Sequence, residues 1–315
     1  MKYLNELNEG DRISDVYLCK HCQPATTKTG KEYVNVILQD KTGTVDAKIW
    51  EPGSGGIADF SELDYIYIMG EVSTFNGTIQ VSIKRLKVAA EGEYDPKDYL
   101  PVSPFDNDEM YKELSAVCDT VKNEYLHELL LSFFIKDTDF IKKFRQSSAA
   151  KQVHHGFVGG LMQHTLAVTR MCKYMVKAYP VLNHDLLITA ALLHDIGKTE
   201  ELSLFPANDY TDDGQLLGHI VIGSEMISEH AAEIDGFPAK LKSELKHCIL
   251  AHHGQLDYGS PKVPELMEAM ALNLPDNADA KMETMTELIG STTDKGWLGY
   301  NRLLETNIRK ATEWN

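Results

Sequence analysis

The sequence predicts an α+β protein of two domains, a small N-terminal β-barrel followed by an all-α helical bundle. Its 315 residues exceed the usual size of a single hydrophobic core. Short segments of alternating apolar and polar residues fill the first 90 positions, whereas apolar residues recur at helical spacing from Asp108 onward. We therefore expect a barrel in residues 1–90, a linker in residues 91–107 and a helical domain in residues 108–315, with the boundary near residue 95.

Five predicted strands make up the barrel. Val34, Val36 and Leu38 alternate with polar neighbours, which is the pattern of a half-buried strand. Asn76-Gly77 separates the last two strands, and this dipeptide is a strong hairpin signal. Because no helical repeat interrupts the strands, they are expected to close into a small barrel.

The stretch from Leu38 to Trp50 resembles the strand-turn-strand core of OB-fold nucleic-acid-binding domains. The resemblance implies that the barrel binds a single strand by stacking bases on aromatic side chains and contacting phosphates with basic ones. Phe75 is the strongest stacking candidate, because a hairpin tip cannot bury much surface. The candidate contacts are Tyr33, Trp50 and Phe75 for stacking, and Lys28, Lys31, Lys48, Lys84 and Arg85 for phosphate.

The predicted linker is rich in residues that interrupt regular structure. Residues 91–107 contain three prolines among acidic and turn-forming residues. Beyond them Met110, Leu114 and Val117 lie at helical spacing. Helices are expected to continue from there to the end of the chain.

The composition is that of a globular protein, with 43% hydrophobic and 25% charged residues. No apolar run is long enough to cross a bilayer, and the N-terminus lacks the apolar core of a signal peptide. We therefore expect a cytoplasmic protein without a membrane partner. The five cysteines are too scattered for a disulfide framework, and Cys19 and Cys22 lack the second ligand pair that a structural zinc site needs.

The net charge of −16 argues against indiscriminate nucleic-acid binding, since phosphate contacts need Lys and Arg. The charge is unevenly distributed. Residues 1–90 contain 10 basic and 12 acidic residues, a balance of −2, so most of the negative charge lies in the helical half. A transiently held strand therefore remains compatible with the barrel.

Seven residues of metal-ligand type recur in the apolar helical segments. Imidazole nitrogens and carboxylate oxygens suit divalent ions such as Mn, Fe, Co or Zn. Seven ligands exceed the coordination number of one octahedral ion, so the count predicts two ions, an arrangement widely used to hydrolyse phosphodiesters. The seven residues are His164, His194, Asp195, His219, His252, His253 and Asp276.

These motifs resemble the HD superfamily of metal-dependent phosphohydrolases. The defining pair stands in LLHDIGK (192–198), with a histidine upstream in GGLMQHTLAV (159–168) and an aspartate downstream in LPDNADAK (274–281). The resemblance implies that Asp195 bridges two ions. One ion would be held by His164, His194, Asp195 and Asp276, and the other by Asp195, His219, His252 and His253. Asp279, one turn further on, is the alternative final ligand.

Glycines mark the helix ends that present these ligands. Gly197 is expected to end a helix that begins near Leu186, because a residue without a side chain is favoured just past the last turn. Gly254 has the same position after the paired histidines. Lys198 emerges beside the first helix end, where its ammonium could act on a phosphate as a catalytic residue. Pro275 is expected to break or start a helix.

A glycine-rich segment, AAKQVHHGFVGG, precedes the first ligand. Lys151, His154 and His155 in this segment are candidate substrate contacts, because an ammonium or imidazole can bind phosphate or ribose. The alternative is a solvated loop without a role in binding.

A barrel of this type followed by an HD domain resembles the YhaM-type 3'-to-5' exoribonucleases of Gram-positive bacteria. The resemblance extends over almost the whole chain and includes LGHIVIG, HCILAHHG and DNADAK. It implies Mn-assisted removal of nucleotides from the 3' end of single-stranded RNA, with single-stranded DNA as a second candidate substrate. A homo-oligomer is the expected assembly.

Two other functions are compatible with the motifs. The first is an HD phosphodiesterase or nucleotidase acting on a small or cyclic nucleotide. An enzyme for cyclic dinucleotides would carry Gly-Tyr-Pro after its paired histidines, and HHGQLDYGSPK lacks that tripeptide. The second is a nucleic-acid-binding regulatory or replication factor whose HD site is vestigial.

Overall fold

The computed structural model describes residues 1–27, 29–75, 77–151, 155–290 and 296–312. It consists of two compact units, Met1–Pro101 and Val102–Asn315. Much of the segment expected to be a linker belongs to the first unit. Tyr94 stacks on Tyr65 of the barrel with ring centroids 3.8 Å apart, and the backbone N–H of Lys41 donates to the carbonyl of Asp98 at 2.9 Å.

The first unit is a closed five-stranded barrel, and all five predicted strands are present. The strand order is β1-β2-β3-β5-β4, with β3 and β5 parallel and every other pair antiparallel. This is the topology of an OB-fold, which confirms the predicted fold class. The strands are β1 Arg12–Thr26, β2 Glu32–Asp40, β3 Gly43–Ile49, β4 Tyr65–Phe75 and β5 Thr78–Val88.

Alternation along each strand separates the barrel interior from its outer face. Val36, Leu38 and Ile49 point inward and are at most 1% exposed. Their neighbours Asn35 and Lys48 point outward, and the Lys48 ammonium donates to the Asn35 side-chain oxygen at 2.7 Å. The outer face of β2 and β3 is therefore polar.

The second unit is a bundle of helices around one apolar core. Every residue of α5 from Leu186 to Leu193 is buried, because α4 and α10 pack against it along with α2 and α9. The helices are α1 Asn107–Cys118, α2 Glu124–Leu131, α3 Thr138–Gln146, α4 Gly160–Ala178, α5 His184–Leu193, α6 Lys198–Glu201, α7 Asp212–Leu216, α8 His219–Ala232, α9 Ala239–Leu250 and α10 Met267–Gly290. No described helix is both long and apolar enough to cross a membrane.

Two expectations about the end of the chain are wrong. The helical pattern does not continue to the end, because a two-stranded sheet of β6 (Trp297–Asn301) and β7 (Thr306–Arg309) follows α10. Pro275 neither breaks nor starts a helix but lies inside α10. Proline cannot donate to the carbonyl four residues earlier, that of Ala271. The Cys172 thiol of α4 lies 3.8 Å from this oxygen and donates to it.

Candidate metal centre

The fold brings all seven predicted ligands to one place. His164 comes from α4, and His194 and Asp195 follow directly after α5. His219 is the first residue of α8, and Asp276 lies on α10. His252 and His253 lie in the turn that follows α9. The centroids of their two rings are 4.3 Å apart. Five separate segments thus converge on the end of the buried helix α5.

One group of ligands surrounds the Oδ2 atom of Asp195, and we call it site A. The Nε2 atoms of His164 and His194 lie 3.4 and 3.3 Å from that oxygen and 3.2 Å from each other. Asp276 Oδ1 lies 3.2 Å from His164 Nε2 and 3.8 Å from His194 Nε2. Four potential ligand atoms therefore enclose a space of ionic size.

A second group surrounds the other oxygen of Asp195, and we call it site B. His219 Nε2 and His252 Nε2 lie 3.5 and 3.6 Å from Asp195 Oδ1. A ring nitrogen of His253 lies within 4.8 Å of ligand atoms of both histidines. Asp195 thus directs one carboxylate oxygen to each site.

The donor atoms fit divalent cations. Metal–ligand bonds of about 2.0–2.2 Å place neighbouring ligands of one ion roughly 3.0–3.6 Å apart, close to the separations in sites A and B. Asp195 Oδ1, His219 Nε2 and His252 Nε2 are buried and form no hydrogen bond within the described part of the chain. Buried polar atoms without such a partner are costly unless an ion or water binds them.

The other ring nitrogen of each of four histidines is held in place. His194 Nδ1 donates to the Ala191 carbonyl at 2.9 Å, and His252 Nδ1 donates to the Ile249 carbonyl at 2.6 Å. In both cases the acceptor is the carbonyl three residues earlier. Carboxylates hold the remaining two histidines, with His164 Nδ1 2.7 Å from Asp279 Oδ2 and His219 Nδ1 3.0 Å from Glu201 Oε1. Each of these contacts leaves Nε2 facing the centre, as metal ligation requires.

The structure assigns different places to the two candidate aspartates on α10. Asp276 faces site A, whereas Asp279 contacts the far side of the His164 ring. Glu201 has the corresponding place behind His219, and its side chain also accepts the backbone N–H of that residue at 3.0 Å. Sequence reasoning did not identify Glu201. Its position three residues after Lys198, in the first turn of a helix, was the available signal.

Close packing explains Gly197 better than helix termination does. Its φ is −61°, which any residue can adopt, so the expected reason for glycine is wrong. A Cβ at this position would lie 2.0 Å from the carbonyl oxygen of His219, so glycine allows α8 to approach. Gly254 does have a left-handed φ of +79°, as the helix-end prediction requires.

Charges in the centre keep the carboxylates ionised. Burial would raise the pKa of Asp195, but Lys198 and His194 hold that pKa well below its ordinary value. Burial would also raise the pKa of Asp279, but hydrogen bonds from His155 and His164 lower it to about 2. Burial lowers the pKa of His252, which favours the neutral imidazole that binds metals.

Lys198 is the cation next to the predicted ligands. Its ammonium lies 2.7 Å from Asp195 Oδ2, and its side chain is 15% exposed. Burial would lower the pKa of Lys198, but the Asp195 carboxylate raises it above the ordinary value. The lysine is therefore charged and in contact with the central carboxylate.

Of the three candidate substrate contacts in the glycine-rich segment before α4, the structure describes Lys151 and His155. His155 is 2% exposed, and its Nε2 donates to Asp279 Oδ2 at 2.8 Å. Lys151 remains at the surface in an ion pair with Asp209, and His154 lies outside the described residues. His155 is thus buried against Asp279, which contacts the predicted ligand His164, and is not exposed to solvent.

The three barrel aromatics are at the surface or close to it. Tyr33 and Trp50 stack with ring centroids 5.2 Å apart, and the Lys48 ammonium lies 4.9 Å from the Tyr33 centroid and 5.7 Å from that of Trp50. Trp50 is 41% exposed, and Phe75 at the end of β4 is 63% exposed. Among the predicted phosphate contacts, Lys31 and Lys84 pair with glutamates, whereas Lys28 lies outside the described residues.

Comparison with known proteins agrees with this architecture. A family model of the HD domain matches residues 161–280, and this family uses divalent metal ions. The 3'-5' exoribonuclease YhaM of Geobacillus sp. (strain WCH70) is 33% identical over 274 residues, which cover 87% of this chain and 83% of that protein. The 3'-5' exoribonuclease YhaM of Listeria innocua is 32% identical over 294 residues, which cover 92% of each protein.

Among solved structures, the second OB-fold domain of replication protein A from Methanococcus maripaludis is 17% identical, with a TM-score of 0.22 over 29% of this chain and 96% of that chain. This score is too low to support a functional argument, and the barrel's strand order identifies the fold by itself. The curated relatives span both units at more than 30% identity. The chain therefore belongs to the family of YhaM 3'-5' exoribonucleases.

Proposed function

We propose that this protein is a metal-dependent 3'-to-5' exoribonuclease that degrades single-stranded RNA, with single-stranded DNA as a second substrate. The observation that carries the proposal is the sharing of Asp195 between two groups of ligands. Family membership over most of the chain supports the choice of substrate and favours it over a small nucleotide or a purely regulatory role.

The proposal includes two divalent ions, with Mn as the metal. Nitrogen and oxygen ligands without a thiolate suit Mn as well as Fe, Co or Zn. When bound, two such ions lower the pKa of water and stabilise charge on both the attacking and the leaving oxygen of a phosphodiester. One ion would be held by His164, His194 and Asp276, and the other by His219, His252 and His253. Asp195 would be a ligand of both ions.

The protein's own groups supply the remaining functions. Lys198 is charged and close to Asp195, so its ammonium is placed to neutralise a phosphate oxygen that enters the centre. Lys151, 38% exposed at its side chain, could exchange its surface partner Asp209 for substrate phosphate. His154 remains a candidate contact in the same segment.

The barrel is proposed to hold the RNA strand. Tyr33 and Trp50 already form a stacked pair with Lys48 beside it, and such a surface can accept a base and its phosphate. Phe75 offers a second exposed ring. With a charge near neutrality, the barrel would bind through stacking more than through phosphate contacts.

Incubation of the full chain with 5'-labelled single-stranded RNA and Mn tests the activity. We expect a ladder that shortens from the 3' end, and no products with Asp195→Asn or with a chelator. A matched RNA blocked at its 3' end should resist degradation. Shortening from the 5' end, internal cuts, or cleavage of cyclic dinucleotides alone would contradict the proposal.

Assembly and location complete the proposal. A homo-oligomer is supported by exposed apolar side chains on α10 and the C-terminal sheet, including Met270, Leu274, Met282, Trp297 and Tyr300. Light scattering after size-exclusion chromatography would give the mass, and a single-chain mass would refute an oligomer. The RNA substrate supports a cytoplasmic location, which cell fractionation would test.

A further inference from the structure

We propose that His155 is a positioning residue for site A, where it acts through Asp279 on the ligand His164. The inference rests on the proposed metal site and adds a residue that does not itself face an ion. It also gives a role to a histidine that the sequence suggested as a substrate contact.

A single carboxylate oxygen joins two imidazole rings. Asp279 Oδ2 lies 2.7 Å from His164 Nδ1 and 2.8 Å from His155 Nε2. These are hydrogen-bond lengths, whereas the atoms around site A are 3.2 to 3.8 Å apart. The three side chains therefore form a hydrogen-bonded chain rather than another ion site, with both rings donating to the carboxylate.

This chain of bonds fixes the direction of the His164 ring. Because Nδ1 donates its proton to Asp279, Nε2 is the nitrogen directed toward site A, where it can bind an ion that displaces its proton. The bond from His155 holds the same oxygen from a second side. Without that bond the Asp279 carboxylate could turn about its side-chain torsions and approach the ion directly, since it lies one turn after Asp276 on the same helix face.

The backbone of His155 is held by separate contacts. Its φ of +63° is left-handed, which is uncommon for a residue with a side chain. Its carbonyl oxygen accepts the Ala149 N–H at 3.0 Å. The same oxygen would lie only 2.0 Å from a Cβ at Gly160, so glycine is required there. A test must therefore separate the role of the imidazole from that of the backbone.

Two substitutions make this separation. His155→Gln places an amide N–H near the position of Nε2, so the bond to Asp279 can form. His155→Asn tolerates the left-handed backbone better than most residues, but its amide is too short to reach that position. If only the backbone mattered, asparagine would be at least as good as glutamine.

The measurement is a titration of the metal-free full chain with Mn²⁺ followed by electron paramagnetic resonance, without RNA. We expect the parent and His155→Gln to bind two ions with a spin-coupled spectrum. His155→Asn and His155→Ala should bind the site A ion about 10- to 100-fold more weakly. His184→Asn is the matched control, because His184 pairs with Asp185 at the start of α5 and should leave Mn binding unchanged.

Two results would overturn the inference. Parent-like Mn affinity in His155→Asn would show that the imidazole has no role, and equal weakening in His155→Gln would show that donation to Asp279 is not the cause. The comparison is independent of RNA degradation, so failure of the exoribonuclease proposal would appear separately. If the parent binds only one ion, the two-ion proposal fails, and the affinity ratio still decides the role of His155.

Discussion

The barrel and the metal centre place their candidate functional side chains in opposite ways. In the barrel the interior is apolar, and the candidate binding rings of Trp50 and Phe75 are 41% and 63% exposed. In the helical unit the candidate ligands are inside the core, where His194 and His252 are 0% exposed and Asp195 is 1% exposed. The barrel presents its candidate contacts to solvent, whereas the helical unit surrounds its candidate ligands with protein.

This difference indicates how each region should respond to substitution. Each exposed ring offers one stacking surface, so each change should have a moderate effect on affinity. The buried ligands share Asp195, so the loss of one group affects both sites, and such effects are not additive. Substitutions in the two regions should therefore differ in the size of their effects.

The largest effect is expected at the shared carboxylate. Asp195→Asn keeps the size of the side chain but removes the charge that both ligand groups face, so RNA degradation should fall to background. Mn binding should fall in parallel, whereas the far-ultraviolet circular dichroism should match the parent. Activity within tenfold of the parent would show that the two sites do not depend on Asp195.

Lys198→Met should have the next largest effect. It removes the ammonium but keeps most of the apolar stem, so turnover should fall by about 10²- to 10³-fold, as when one transition-state donor is lost. Bound Mn and the melting temperature should stay near parental values, with the exposed Lys177→Met as control. Loss of Mn or a large drop in melting temperature would instead assign Lys198 a structural role.

Metal should stabilise one unit and not the other. At a Mn concentration 100-fold above the dissociation constant, one ion adds about 2.7 kcal/mol to the unfolding free energy of the helical unit. Burial would lower the pKa of His164, but its aspartates raise it well above the ordinary value, so protons compete with metal and the stabilisation should grow as pH rises. Calorimetry would measure the unfolding temperature of each unit with and without Mn. If Mn raises that of the barrel as much as that of the helical unit, the contrast is contradicted.

The smallest effect is expected on the barrel face. Trp50→Ala removes one stacking surface worth about 1–3 kcal/mol, so the dissociation constant for long single-stranded RNA should rise roughly 5- to 150-fold. Hydrolysis of a small nitrophenyl phosphodiester should be unchanged, and Tyr174→Ala, 71% exposed in the helical unit, is the control. Equal losses on both substrates would mean that Trp50 affects the fold or the centre.

The parts of the molecule that could be predicted from sequence are those with a local signal. Strand alternation predicted the barrel, and residue type together with motif predicted the seven candidate ligands from His164 to Asp276, which the fold brings together. The reason for Gly197 could not be found in this way, because it depends on the carbonyl of His219, a contact formed only in the folded bundle. His155 and Asp279 are separated by 124 positions, so their hydrogen bond has no local signature either.

Pro275 shows how a local defect in a helix can serve a distant partner. A regular α10 would use the Ala271 carbonyl internally, whereas the proline leaves it to the Cys172 thiol of α4, the helix that also carries His164. Pro275→Ala would restore the hydrogen bond to the Ala271 carbonyl within α10. It would also remove that carbonyl from the Cys172 thiol and so weaken the contact between α4 and α10, which carry His164 and Asp276.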